Sequence, residues 1–136
     1  MDLSGPQAGA IKLPTQNQET LSGTNATVAG WGVIVSGGVN VDKPHKADVV
    51  VLSDAECRQT YGTGSIADAM MCAGAPLGGV DPCDGDYGGP LFTNDNGAFT
   101  LIGIASWDQE CASAIYPAVY TQVSYFVDWI NSNIGA

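Results

Sequence analysis

Gly, Pro, Asn and Asp residues divide the chain into short apolar runs, and this division is the sequence feature that most constrains the fold. The 136 residues include 18 Gly and 7 Pro. Turn residues at this density favour tight turns and leave room for few long helices. The runs between them are rich in β-branched residues and cover 27–35, 48–52, 70–73, 90–92, 99–106 and 118–123. Runs of this length and spacing predict about six antiparallel strands in a barrel or sandwich.

Two segments carry helix signals. Ser53 and Glu56 have the spacing of a capping box, in which each side chain satisfies a free N–H group at the start of a short helix. Near the end of the chain, apolar residues recur at helical spacing: Phe126, Trp129, Ile130 and Ile134. This pattern predicts a terminal helix over 124–136 that packs its apolar face against the barrel.

Acidic residues outnumber basic ones, with 14 Asp and Glu against 4 Lys and Arg and a formal charge of −10. Binding to nucleic acid or to an anionic membrane needs clustered cations, which this chain lacks. Its apolar runs are also far shorter than the roughly 20 residues of a membrane-spanning helix. We predict no nucleic-acid or membrane partner, and a single domain over 1–136 in which 1–9 form a poorly ordered lead-in.

The chain has four cysteines, which allow three pairings: Cys57, Cys72, Cys83 and Cys111. None of them has C-x-x-C spacing and His45 is the sole histidine, so we predict no metal site and no cofactor. Two disulfides, each worth about 3 kcal/mol, indicate an oxidising, extracellular compartment. The first twenty residues lack the cationic and apolar regions of a signal peptide, so we expect that Met1 is not the natural start.

The most specific stretch is 81–91, Asp-Pro-Cys-Asp-Gly-Asp-Tyr-Gly-Gly-Pro-Leu. It resembles the nucleophile loop of trypsin-like serine proteases, whose pattern is Asp-Ser-Cys-Gln-Gly-Asp-Ser-Gly-Gly-Pro-Leu. Further motifs resemble that family in its own order: Gly-Trp-Gly at 30–32, Met-Cys-Ala-Gly at 71–74, Ile-Ala-Ser-Trp at 104–107, Tyr-Pro-Ala-Val-Tyr-Thr at 116–121 and Val-Asp-Trp-Ile at 127–130. The similarity runs from about Ala10 to the C-terminus and is greatest to crustacean trypsins.

This resemblance implies a fold and a disulfide pairing. It implies the second barrel of the chymotrypsin fold, a six-stranded antiparallel Greek-key barrel with a short C-terminal helix. It also implies the pairs Cys57–Cys72 and Cys83–Cys111. In that family the first barrel carries the catalytic His and Asp, and the second carries the nucleophile, the oxyanion hole and the specificity pocket.

The resemblance places Tyr87 at the position of the nucleophilic serine. A phenol oxygen lies several bonds further from the backbone than a serine Oγ, and its ordinary pKa of about 10 keeps it protonated at neutral pH. His45 matches a surface turn and Asp2 lies beyond the position of the triad acid, so we expect all three triad members to be absent. Gly85 matches a residue whose backbone amide forms the oxyanion hole. Without a nucleophile, no oxyanion forms there for that amide to stabilise.

The same match places Asp81 at the base of the specificity pocket, where trypsins hold a carboxylate for Lys or Arg of the substrate. Ser106 and Trp107 match the pocket wall. Asp108 and Ala118 replace glycines of that wall, so each adds side-chain atoms where substrate would enter. We expect this narrowing to matter more than the charge of Asp81, which is equally well explained as a solvated loop carboxylate.

Asp86 matches the residue that, in activated members of the family, pairs with the N-terminal ammonium created by zymogen cleavage. That terminus heads the first barrel, so Asp86 needs another donor or a raised pKa. We expect the loop to be zymogen-like and the least ordered part of the barrel.

These departures favour a catalytically inactive, extracellular homologue of trypsin-like proteases that acts by binding a protein. We expect the partner to be a first-barrel chain, a protease or a second copy, because a solitary second barrel exposes the apolar side that packs on the first. The alternative enzyme hypothesis is a fragment of an endopeptidase that cleaves after Arg or Lys. It needs a first barrel and a serine at position 87.

Two smaller hypotheses concern binding and modification. A weak cation-binding module would use the acidic side chains of two loops: Asp81, Asp84, Asp86, Asp108 and Glu110. The spacing partly imitates an EF-hand loop but fails at Gly88 and Asp95, where that loop has Asp or Asn and then Glu. Asn25 begins an Asn-Ala-Thr sequon and is a candidate glycosylation site.

Overall fold

The structure is a computed structural model that describes residues 5–6, 8–33, 38–79 and 81–134. Asp2 and part of the predicted lead-in 1–9 lie outside the described residues. The described ranges contain these strands: β1 Asn25–Gly30, β2 His45–Val51, β3 Met70–Gly74, β4 Pro90–Asp95, β5 Ala98–Trp107 and β6 Ala118–Gln122. They also contain helix α1 Asp54–Tyr61, a 3-10 helix Val123–Phe126 and helix α2 Val127–Asn133.

The strands pair antiparallel and close into a barrel in the order β1-β2-β3-β6-β5-β4. Closure comes from β1 and β4, where Thr27 lies opposite Phe92 and Val28 opposite Leu91. The predicted fold class, a six-stranded antiparallel barrel with a short C-terminal helix, is confirmed. Both predicted disulfides, Cys57–Cys72 and Cys83–Cys111, are also confirmed.

Alternate residues of each strand fill the barrel interior, as the two-residue period of a strand requires. Leu91 and Tyr120 are 0% exposed and lie in the same cluster as Val49 and Val51. A second cluster lies outside the barrel under α1 and contains the Cys57–Cys72 disulfide with Ile66 and Val119. The disulfide therefore holds α1 to β3.

The capping box predicts the start of α1 correctly. The Glu56 N–H donates to Ser53 Oγ at 3.2 Å, and the Ser53 N–H donates to Glu56 Oε2 at 2.8 Å. The hydrogen bond from the Ser53 side chain is the main reason that the pKa of Glu56 is lowered. Neither helix within the described ranges is long and apolar enough to span a membrane.

The predicted strand 27–35 is shorter than expected at its C-terminal end. β1 begins at Asn25 and ends at Gly30, and the chain then bends at Trp31 and Gly32. Positions 34–35 lie outside the described residues. The bend brings the Gly32 N–H to 2.7 Å from Asp86 Oδ1. A contact with a residue far along the chain therefore ends this strand.

The terminal segment corrects the prediction that the apolar face of α2 packs on the barrel. Val123 and Val127 are buried, but Phe126 is 38% exposed, Trp129 65% and Ile134 69%. Residues 135–136, the end of the predicted helix, lie outside the described residues. The segment is helical, as its periodicity predicts, but its apolar face is not covered by any described part of the chain.

Candidate functional site

Two loops carry most of the predicted site residues: the 81–89 loop before β4 and the 108–117 loop between β5 and β6. The Cys83–Cys111 disulfide joins them. The 81–89 loop is also held to β5, because the Gly88 N–H donates to the Ala105 carbonyl at 2.7 Å and the Ala105 N–H donates to the Gly89 carbonyl at 2.9 Å. These links place both loops at one end of the barrel.

The Asp86 carboxylate lies between the 81–89 loop and the bend after β1. Oδ1 accepts a hydrogen bond from the Gly32 N–H at 2.7 Å, and Oδ2 accepts one from the Cys83 N–H at 3.3 Å. A Cβ on Gly32 would lie 2.5 Å from the Asp86 carboxylate, and a Cβ on Gly30 would overlap Asp86 Oδ1. Two backbone amides thus supply the donors that Asp86 needs, which counts against the expected mobile loop.

A cavity of about 210 Å³ adjoins Asp86. Its lining combines the apolar side chains of Val28 and Val33 with Pro82, and it includes His45. His45 is the first residue of β2, where it pairs with Gly30, so its predicted position in a surface turn is wrong. It is exposed, as a solvated histidine is expected to be.

Asp81 is half-buried as a residue, but both of its carboxylate oxygens are buried and find no hydrogen-bond partner among the described residues. Burial, followed by the nearby negative charge of Asp108, raises the pKa of Asp81 from 3.8 to about 7, although the nearby Ala118 N–H, which is too poorly placed for a full hydrogen bond, opposes part of this rise. The prediction that Asp81 is a solvated loop carboxylate does not fit this environment. A buried carboxylate without a donor is instead suited to a cationic ligand or to remaining protonated.

Tyr87 and Asp108 meet across the gap between the two loops. The Tyr87 hydroxyl donates to Asp108 Oδ2 at 2.7 Å. Partial burial, and then this hydrogen bond and the charge of Asp108, raise the pKa of Tyr87 above its ordinary value. Ionisation of Tyr87 would place two negative charges side by side, so the phenol keeps its proton.

The wall between the loops is built from β5, β6 and α1. A bulge in the β5–β6 pairing between Ala105 and Trp107 leaves Ser106 exposed. The Trp107 ring packs edge-on against Tyr61, with ring centroids 4.9 Å apart. Ala118 begins β6, is 1% exposed and belongs to the buried cluster that also contains Leu91 and Tyr120.

A family model described as Trypsin matches residues 3–130. The chain belongs to the trypsin family. It is 51% identical over 123 residues to Trypsin-1 of the crayfish Astacus astacus, an alignment that covers 90% of this chain and 51% of the crayfish protein. It is 41% identical over 112 residues to Trypsin eta of Drosophila erecta, covering 82% of this chain and 42% of that protein.

A human relative, Serine protease 56, is 38% identical over 135 residues. That alignment covers 97% of this chain and 22% of the human protein. The chain therefore spans about half, or less, of the length of the relatives that it matches. Its trypsin-family homologues are serine endopeptidases.

In this trypsin-family chain the structure gathers the predicted pocket residues Asp81, Trp107, Asp108 and Ala118 at one end of the barrel, with Tyr87 beside them. Asp86 belongs to the same loop as Tyr87, but its carboxylate points toward the bend after β1. Gly85 lies at the exposed turn of the loop with φ +96°, a conformation that favours glycine. Asn25 lies apart from this site, exposed at the start of β1.

Sequence reasoning missed two tyrosines of the site. Tyr61 donates its hydroxyl to the Pro117 carbonyl at 2.6 Å, and burial raises its pKa to about 12. Its position one helical turn after Cys57 could have indicated that it faces the same side of α1. Tyr120 lies two residues after Ala118 on β6, so strand alternation points both side chains the same way.

Burial also raises the pKa of Tyr120, followed by the negative charge of Asp81. Its hydroxyl is buried and finds no partner within the part of the chain that the structure describes. The acidic residues of the predicted cation module do not converge: in the described ranges there is no group of three or more His, Cys, Asp or Glu side chains placed to hold a metal ion.

Proposed function

We propose that this chain forms the second barrel of a catalytically inactive trypsin-family protein that acts by binding a protein partner. The hydrogen bond from Tyr87 to Asp108 carries this proposal. The resemblance assigns position 87 to the nucleophile, and a nucleophile of this class must pass its proton to a base. Partial burial, and then the Asp108 carboxylate beside it, instead raise the pKa of the Tyr87 phenol, which keeps the proton in place.

The pocket supports the same function. Ala118 and Asp108 stand where the resemblance expects glycines, and both add atoms to the wall. Ala118 is 1% exposed, so its methyl group has no freedom to move aside. A substrate side chain that reaches for Asp81 therefore meets a narrowed passage.

Hydrolysis of an Arg-containing peptide tests the loss of catalysis. The chain is mixed with the separately expressed first barrel of crayfish Trypsin-1, and wild type is compared with Tyr87→Ser and with the control Tyr125→Ser. We expect no hydrolysis by wild type or by the control. Hydrolysis with Tyr87 in place would refute the proposal.

A second candidate is a fragment of an endopeptidase that cleaves after Arg or Lys, and the environment of Asp81 favours it. The two oxygens of Asp81 are buried and have no hydrogen-bond partner among the residues that the structure describes, which suits them to the cationic end of such a side chain. This candidate requires a first barrel and a serine at position 87. Hydrolysis by Tyr87→Ser, but not by wild type, would show that the rest of the site is competent and would favour this candidate.

We propose that the binding partner is a first-barrel chain and that it covers the open side of the terminal helix. This terminal apolar face consists of a groove of about 400 Å³ lined by Ile104, Thr121, Val123, Phe126, Trp129 and Ile130. Trp129 is 65% exposed, which is unusual for a large aromatic side chain unless a partner covers it. The chain spans 51% of the length of crayfish Trypsin-1, which leaves a second half of similar size to supply the cover.

Sedimentation velocity over a concentration series tests this partner. We expect wild type to self-associate when alone, Trp129→Ser to remain monomeric, and an added first barrel to bind wild type but not Trp129→Ser. Leu77→Ser is the matched control, because Leu77 is 93% exposed and lies in a loop outside the groove. Wild type that stays monomeric and does not bind the first barrel would refute the proposed partner.

We also propose an extracellular location, supported by the two disulfides. In that compartment the exposed Asn25 is available for N-glycosylation. Expression in a secretory eukaryotic host tests this, since Asn25→Gln should lose the mass that a glycosidase removes from wild type. Equal masses for the two proteins would refute the glycosylation site.

A further inference from the structure

A groove of about 540 Å³ is formed by the segment before β1, the end of β4 and the first half of β5. The 81–89 and 108–117 loops lie before β4 and after β5, so the groove is at the opposite end of the barrel from the candidate site. We propose that this groove, which we call the Asn25 groove, binds the first N-acetylglucosamine of a glycan attached to Asn25. The site requires the glycosylation of Asn25 proposed above and adds to it a defined place for the sugar.

Asn25 is both the predicted attachment point and one of the residues that line the groove. It is the first residue of β1 and is exposed. β1 and β4 are antiparallel, with Thr27 opposite Phe92, so the start of β1 lies beside the end of β4, which carries Asn94 and Asp95. A sugar bonded to the amide nitrogen of Asn25 is therefore placed at the groove by its own linkage.

The lining offers the hydrogen-bonding groups that a sugar needs. Thr20 and Thr100 carry hydroxyls that donate and accept, and the Asp95 carboxylate accepts. The Gly97 N–H donates to Asn94 Oδ1 at 2.7 Å, which fixes that side chain, and its amide NH2 group supplies donors. This mixture of donors and acceptors suits the hydroxyl and acetamido groups of N-acetylglucosamine.

Leu21 adds an apolar rim to the groove. Its side chain is 69% exposed although it belongs to the lining. The turn that carries Leu21 is held in place, because Thr24 Oγ1 donates to the Leu21 carbonyl at 2.6 Å and the Gly23 N–H donates to the Val51 carbonyl at 2.8 Å. The acetamido methyl group of the sugar would remove part of the leucine surface from water. A rim that is already ordered lowers the entropy cost of binding.

The size of the groove and the covalent bond to Asn25 both suit a weakly bound sugar. Small-molecule sites commonly measure about 300 to 1,000 Å³, and about 540 Å³ falls within this range. Attachment makes the sugar an intramolecular ligand at a roughly millimolar effective concentration, so a few contacts are enough to hold it. The occupant is therefore the tethered first sugar and not a free saccharide.

Amide hydrogen exchange on three forms of the whole chain tests the groove. A secretory eukaryotic host that adds only oligomannose glycans supplies the glycoprotein, and mass spectrometry establishes the glycan at Asn25. Endoglycosidase H then leaves a single N-acetylglucosamine, whereas peptide N-glycosidase F removes all sugar and converts Asn25 to Asp. We expect the end of the β4–β5 hairpin, at 94–98, to exchange about three- to tenfold faster without sugar, and the single-sugar form to match the intact glycoprotein. Asn25→Gln, which carries neither sugar nor new charge, should match the sugar-free form.

Groove variants separate contact with the sugar from a general effect of glycosylation. Leu21→Ser and Asp95→Ala should each lose most of the difference between the single-sugar and sugar-free forms. The control Leu77→Ser, at a side chain that is 93% exposed and outside the groove, should keep it. Equal exchange of single-sugar and sugar-free wild type, or a full difference in both groove variants, would overturn the groove and leave the glycosylation site standing. Secreted protein without a glycan at Asn25 would overturn both.

Discussion

Replacing Asp81 with Asn should stabilise the protein at alkaline pH and leave its stability unchanged at acid pH. Asp81 has two buried oxygens without hydrogen-bond partners among the described residues, and its pKa rises from 3.8 to about 7. In the unfolded chain the same carboxyl ionises near its ordinary pKa of about 3.9. Between about pH 4 and pH 7 the folded state therefore holds a proton that the unfolded state has lost.

The sign of the effect follows from this difference in bound protons. The free energy of unfolding falls as pH rises through this window, and the full penalty is present above pH 7. The difference between pKa 3.8 and about 7 corresponds to about 4 kcal/mol for a fully buried group. Because Asp81 is half-buried and solvent screens part of the penalty, we expect about 2 to 3 kcal/mol.

Asp81→Asn matches the protonated acid in size and carries no charge at any pH. We expect it to raise the free energy of unfolding by about 2 to 3 kcal/mol at pH 8.5 and by less than about 0.5 kcal/mol at about pH 3.5, where the carboxyl is largely protonated in both states. Urea unfolding followed by tryptophan fluorescence, with both disulfides intact, measures this, provided that the denaturant slope is unchanged.

Two variants separate the causes. Asp95→Asn changes an exposed carboxylate at the end of β4 and should have little effect at either pH. Asp108→Asn removes the smaller of the two causes of the raised pKa, so most of the pH dependence should remain. An equal gain from Asp81→Asn at both pH values, or no gain at pH 8.5, would show that Asp81 is not a buried, uncompensated carboxylate.

Three further changes in the free energy of unfolding test the scaffold, each measured by urea unfolding at neutral pH. Ser53→Ala removes the cap of α1 and should cost about 1 kcal/mol. Gly32→Ala would place a Cβ 2.5 Å from the Asp86 carboxylate and should cost about 1 to 3 kcal/mol, whereas Gly64→Ala, with no atom within 4 Å, should cost nothing. Leu91→Ala empties a site that is 0% exposed and should cost about 2 to 5 kcal/mol.

The six strands are predictable from the sequence because turns and strand alternation are local properties, whereas the choice of a barrel over a sandwich came from the family resemblance. The β4–β5 hairpin shows the limit of that reasoning. Its strands extend to Asp95 and from Ala98, beyond the predicted runs 90–92 and 99–106. Polar residues end an apolar run, but Asn96 and Gly97 adopt positive φ and turn the chain tightly enough for the pairing to continue.

Long-range contacts account for the predictions that failed. Apolarity at position 33 favoured a longer first strand, but Val33 is buried after a bend set by Asp86, which lies 54 positions beyond Gly32. The apolar face of the terminal helix was expected to pack internally. Periodicity identifies such a face but not its partner, and here the face stays open around Trp129.

The candidate site also depends on a long-range contact that the sequence does not reveal. Tyr87 and Asp108 are each identifiable in the sequence as departures from the family pattern: Tyr87 predicts a missing nucleophile and Asp108 a narrower pocket. They lie 21 positions apart, and only the folded geometry shows that the hydroxyl of one donates to the carboxylate of the other. Because the two residues share one hydrogen bond, the effects of replacing them on the free energy of unfolding should not be additive. A change at either residue removes this hydrogen bond, so a second change should add much less than the first.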